Sequence, residues 1–200
     1  MFFFSGLLGK MHRPLMYPVS ELCICAKMCS ARFDVLIEHV DRCVYFAFCG
    51  YDFVRDMFCS PRTFRDDADA KALAGAVATW ARVERAVVRA VHENPFARLV
   101  FTGHSFGGAV AAVAALDVSL RTGRHVEFAG FGCPKPFNAH AARLFRERVN
   151  GTYFYTKYDL IPKLPPRTFH GAPCVCIGKS AAHTMHSYTQ ALHSWTRLSA

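Results

Sequence analysis

The chain has 200 residues, 52% of them hydrophobic and 20% charged, with a formal net charge of +9. This length suits one domain with one sizeable core, and the balance of apolar and charged residues excludes a disordered chain. Arg82, Arg85 and Arg89 stand singly, and no dense basic run interleaved with aromatics occurs, so the charge reads as a solvated basic surface and no nucleic-acid partner is expected.

The start, MFFFSGLLGKMHR, is apolar over a stretch too short to span a bilayer, and no basic residue precedes Phe2-Phe3-Phe4. We read it as a packed segment within residues 1–42, set apart from the remainder of a single 1–200 domain. Nine cysteines include Cys23, Cys25 and Cys29, and Cys174 and Cys176, with no C-x-x-C pair. Reduced thiols are expected, which implies an intracellular site, cytoplasmic or membrane-associated, with secretion left open.

CVYFAFCG (43–50) has the β-branched and aromatic content of a buried strand. Residues 52–70 mix apolar and charged positions. ALAGAVATWARVERAVVRAVHE (72–93) reads as an amphipathic helix, with Leu73, Val77, Trp80, Val87, Val88 and Val91 near one face. Glu84 falls within that face, so a partner or a packing gap is expected there. Asn94-Pro95 ends the helix. ARLVFTGHS (97–105) follows as a strand, then GGAVAAVAALDVSLRT (107–122) as a helix closed by Gly123. HVEFAGFGCP (125–134) is a third strand, NAHAARLFRERV (138–149) a helix, and GTYFYTKYDLIPKLPP (151–166) a strand running into a proline-bounded loop. CVCIG (174–178) makes a fifth strand, and 183–198 a closing helix. This alternation predicts an α/β fold: a mostly parallel central sheet with helices on both faces and a site at the strands' carboxyl ends.

One pattern in this series carries chemistry. Gly103-His104-Ser105-Phe106-Gly107 reads G-x-S-x-G between an apolar strand and an alanine-rich helix. In that context the serine sits on a strained strand-to-helix turn, flanked by small residues that let the helix pack close. The amide of Phe106 then faces an oxyanion. Asp117 lies three turns along the helix, away from such a site. His104, beside the serine, is expected to pack or hydrogen-bond behind the turn.

VFTGHSFGGAVAAVAALDV resembles the serine motif of the class 3 lipases, the α/β-hydrolase family of fungal triacylglycerol lipases and their relatives. FAGFGCPKPFNAHAARLF, YFYTKYDLIPKLPP, AAHTMHSYTQAL and, upstream, VYFAFCGYDFVRD resemble further segments of that family in the same order, over residues 43–192. The resemblance implies an α/β-hydrolase fold and a Ser-His-Asp triad of Ser105, Asp159 and His183, because Met185 and Tyr188 then follow the histidine as in the family. His186 is the alternative base, and His170 and His193 are weaker ones. It also implies a second oxyanion donor at Tyr51. Here Phe48-Cys49-Gly50-Tyr51 departs from the family's phenylalanine, arginine, glycine and small hydroxyl residue.

Phe53, Val54, Met57 and Phe58 read as a short lid or, preferably, a core-facing helix. The implied activity is carboxylic-ester hydrolysis of lipid esters through an acyl-enzyme, with no metal or organic cofactor. A phospholipase, thioesterase or acyltransferase on the same triad stays open, as does a catalytically weak hydrolase-fold binding protein. The implied partners are a lipid or ester substrate and a transient membrane or lipid-interface contact. Oligomeric state stays open.

Overall fold

The structure, a computed structural model, describes residues 34–50, 62–64 and 67–198. The N-terminal segment, the cysteines at 23, 25 and 29, Tyr51 and the lid candidates Phe53, Val54, Met57 and Phe58 lie outside those residues. A hairpin of β1 (Val35–Val40) and β2 (Cys43–Phe48) opens the described fold. A separate antiparallel pair, β3 (Arg62–Phe64) and β4 (Asp67–Ala72), follows. Then come α1 (Ala74–Glu93), β5 (Arg98–His104), α2 (Phe106–Thr122), β6 (Val126–Phe131), α3 (Ala139–Arg148), β7 (Val149–Thr156), β8 (Cys174–Gly178) and α4 (Met185–Leu198).

The main sheet runs in the order β1-β2-β5-β6-β7-β8, parallel throughout except for β1 at its edge. Strand alternation divides the apolar side chains between two faces. Val44, Phe46, Leu99, Phe101 and Phe128 point to the face covered by α1, α2 and α3. Ala129, Phe131, Phe154 and Ile177 point to the other, where Tyr188 and Leu192 of α4 meet them. The expected α/β architecture with helices on both faces is thus present. Among the described residues no helix is long and apolar enough to cross a membrane.

α2 explains much of the packing. From Phe106 through Ser119 every residue is buried, and the helix touches α1, α3, β2, β5 and β6. Its alanines combine high helix propensity with little bulk, so neighbours can approach from all sides. Gly123 ends it in the left-handed conformation at φ 66°. Asp117, buried in this helix, accepts a 3.0 Å bond from the Trp80 indole and pairs with Arg121 at 2.9 Å. The same Arg121 reaches Glu84, which resolves the acidic residue on the apolar face of α1. α1 stops at Asn94 as its Asn-Pro sequence predicts. Arg124 caps that end by donating to the carbonyls of Val91, Asn94 and Ala97.

Two features depart from the sequence reading. β1 and the β3–β4 pair were not expected. The closing helix begins at Met185 rather than at residue 183, which leaves His183 in the preceding loop.

Candidate active site

The turn between β5 and α2 is built by close backbone approach. Ser105 holds φ 57° and ψ −134°, a conformation that a side-chain-bearing residue keeps only where its surroundings enforce it. Its amide donates to the Phe131 carbonyl at 2.9 Å, and its carbonyl accepts from Gly108 at 3.0 Å. A Cβ on Gly107 would lie 2.1 Å from the Phe48 carbonyl oxygen, and one on Gly103 only 2.4 Å from the Gly107 carbonyl carbon. The G-x-S-x-G pattern is therefore a steric requirement: α2 starts directly against the carboxyl ends of β2 and β5. The Phe106 amide opens α2, where no intrahelical acceptor exists for it. A Cβ on Gly50, in the loop after β2, would lie 3.0 Å from the His104 carbonyl oxygen and 3.4 Å from the Ser105 Cβ.

The other half of the site comes from the loops after β7 and β8. Asp159 follows the last residues of β7 and is 1% exposed. The Ile161 amide donates to its Oδ1 at 2.9 Å, and the Tyr188 hydroxyl donates to its Oδ2 at 2.7 Å. His183 Nδ1 lies 2.6 Å from the same Oδ2, and His183 Nε2 lies 2.8 Å from the Ser105 Oγ. One imidazole thus bridges the serine and the carboxylate. Burial alone would push the Asp159 carboxyl up, but the bonds from His183, Tyr188 and Ile161 outweigh it and hold the group below its ordinary value. Burial, followed by the bond to Asp159, raises the Tyr188 phenol above its ordinary value.

His104 completes the packing. Its ring stacks on His183 with centroids 4.8 Å apart and meets Tyr188 edge-on at 5.5 Å. Burial, then the neighbouring His183, pushes it down to about 3, so it is neutral at ordinary pH. Its Nε2 has no hydrogen-bond partner among the described residues. The expectation that it packs behind the turn is met.

The structure brings Ser105, His183 and Asp159 together. His186 is exposed on α4 and is not the imidazole at the serine. His170 bonds to the Pro162 carbonyl at 3.1 Å and packs at a tilt against the Tyr153 ring, and His193 is exposed on α4. Sequence reasoning used Tyr188 only as a spacing marker and missed its bond to the acid. The available signal was a hydroxyl-bearing aromatic five residues after the histidine. Gly132 was also missed: at φ 61°, it leaves room where a Cβ would meet Tyr188 at 2.9 Å and His183 at 3.1 Å.

A parallel sheet with helices on both faces and a serine at a strained strand-to-helix turn, reached by an imidazole held on a carboxylate, defines an α/β-hydrolase. The family model for lipase (class 3) matches residues 49–169, and the chain belongs to that family. Secreted mono- and diacylglycerol lipase 1 of Fusarium solani is 36% identical over 90 residues, 44% of this chain and 27% of the relative. Secreted mono- and diacylglycerol lipase A of Penicillium cyclopium is 27% identical over 139 residues, 66% of this chain and 46% of the relative. The chain therefore spans between about a quarter and a half of these relatives' length. A crystal structure of a mutant form of MDLA from Penicillium cyclopium matches with TM-score 0.65 and 26% identity, covering 73% of this chain and 58% of that one. The triacylglyceride lipase of Rhizomucor miehei shares the fold at TM-score 0.60 and 21% identity, over 66% of this chain and 56% of that one.

Proposed function

We propose that this chain is a serine carboxylic-ester hydrolase acting on lipid esters, with Ser105 as nucleophile, His183 as base and Asp159 as acid. The observation that carries this reading is the line from the Ser105 Oγ to His183 Nε2 at 2.8 Å and from His183 Nδ1 to Asp159 at 2.6 Å. A serine hydroxyl is a weak nucleophile, so its proton must leave as it attacks the ester carbonyl. His183 Nε2 takes that proton. Asp159 keeps the other proton on Nδ1 and stabilises the imidazolium without becoming protonated itself. The Phe106 amide, at the first position of α2, is a donor for the developing oxyanion; the second donor expected at Tyr51 lies outside the described residues. The carbon–oxygen bond then breaks, and the alcohol leaves with the proton from His183. Water, deprotonated by the same nitrogen, releases the acid from Ser105.

Family membership and the relatives' names favour acylglycerols as substrates. Those relatives are named as secreted proteins, which favours secretion over the intracellular site expected from the cysteines. A fluorophosphonate probe and a p-nitrophenyl ester test the assignment. The wild type labels and turns over, whereas Ser105→Ala stays folded, takes no label and loses at least about 1,000-fold in rate. An unlabelled wild type would instead mark a binding protein with a spent site.

A further inference from the structure

We infer that the rim beside Asp159 docks this protein on an anionic lipid surface, through exposed Tyr158 and Leu160 ringed by Lys157, Lys163 and Lys179. The inference rests on the lipid-ester reading and names the surface on which such a substrate would be met. Tyr158 is 53% exposed and Leu160 65%, and they flank an acid that is itself buried. Single exposed apolar side chains are commonplace. These two differ because they stand at the carboxyl end of β7, beside the loop that brings His183 to Ser105.

The exposed charges that the neighbouring loops place beside them are lysines. The Lys157 ammonium lies 5.6 Å from the centre of the Tyr158 ring. The Lys157 amide donates to the Gly178 carbonyl at 2.9 Å, which sets Lys157 next to Lys179 at the ends of adjacent strands. The Lys163 amide donates to the Leu160 carbonyl at 3.0 Å, within the same turn. All three lysines are exposed. From Val149 to the last residue, Asp159 is the sole acidic residue, and its carboxylate is committed to His183, Tyr188 and Ile161. Lys135 adds a further cation, its amide bonded to the Leu164 carbonyl at 2.7 Å. Apolar side chains that enter the acyl boundary while ammoniums meet phosphates fit an interfacial contact with anionic lipid. At ordinary ionic strength such attraction acts within about 10 Å, so it favours charges at the rim itself.

The test is co-sedimentation of the full chain with vesicles of phosphatidylcholine alone and of phosphatidylcholine with phosphatidylglycerol. The comparison protein is the Lys157→Gln, Lys163→Gln, Lys179→Gln triple variant. The wild type is expected to partition preferentially to the anionic vesicles. The triple variant is expected to lose about a hundredfold in that partition, roughly fivefold per lysine. Its turnover of a soluble short-chain ester should stay at the wild-type level. Equal wild-type binding to both vesicles, or a triple variant that binds like the wild type, overturns the inference. Competition by inorganic phosphate beyond that of chloride at equal ionic strength would also overturn it, by revealing a site for soluble phosphate. A wild type that binds anionic vesicles yet never turns over the soluble ester would separate failure of the hydrolase reading from failure of the docking surface.

Discussion

The two halves of the candidate site are held by different physics. On the serine side, position is set by hard contact: Gly107 lies against the Phe48 carbonyl, and Ser105 is kept at φ 57°. On the acid side, position is set by directed polar bonds from His183, Tyr188 and the Ile161 amide to one buried carboxylate. Steric positioning is indifferent to pH and intolerant of added atoms. Polar positioning accepts changes of shape but depends on protonation. A site that joins the two gains a fixed serine and an imidazole whose orientation answers to its surroundings.

Substitution separates the halves. The largest effect is expected from Gly107→Ala. The new methyl would sit 2.1 Å from a backbone oxygen that cannot turn away, so a cost above about 3 kcal/mol or outright failure to fold should show in a thermal melt. Asp159→Asn should leave the serine turn intact while removing the charge that fixes the imidazole. Ester turnover is expected to fall by about 10,000-fold in a folded protein, and a loss of less than tenfold would show that the acid side contributes little.

The smallest effect is a pH dependence of stability. His104 is pushed down to about 3 and His170 to about 4 in the folded protein. The unfolded chain takes up those protons near 6.5, so it binds more of them than the folded state as pH falls. Stability should therefore decline from about pH 6.5 downward. The lowered Asp159 carboxyl adds a loss of the same sign below about pH 4. Urea unfolding at pH 7 and pH 5 measures the first part, and His104→Phe should reduce its slope. An unchanged slope would mean that His104 protonates without penalty.

Much of the serine half was legible in the sequence because its requirements are local. Two glycines around Ser105, an apolar strand before and an alanine-rich helix after state a steric condition within a few residues. The choice of His183 over His186 came from the order of residues in a resembling family. Geometry alone left both open, since spacing of three on a presumed helix gave them one face. The start of α4 at Met185 removes that equivalence. The Tyr188 bond was missed because Tyr188 served only to mark spacing after the histidine, and nothing local to it names a carboxylate 29 residues earlier as its partner. β4 was missed because DADAKA has the composition of a turn. Its pairing is held from outside, by β3 and by Asn138, whose side chain accepts from the Lys71 amide and donates to the Asp69 carbonyl. Glu84 broke the apolar stripe until Arg121 supplied a partner from another helix.

The burial of α2 on every side has a consequence for endurance. This helix cannot leave its seat without flooding the whole interior with water, so its amides open only with the molecule itself. α4 lies on a single face of the sheet and has less to lose by peeling away. Under mild stress the protein would release its imidazole first and keep its hydroxyl in place longest, a wounded site that can close again without rebuilding its foundation.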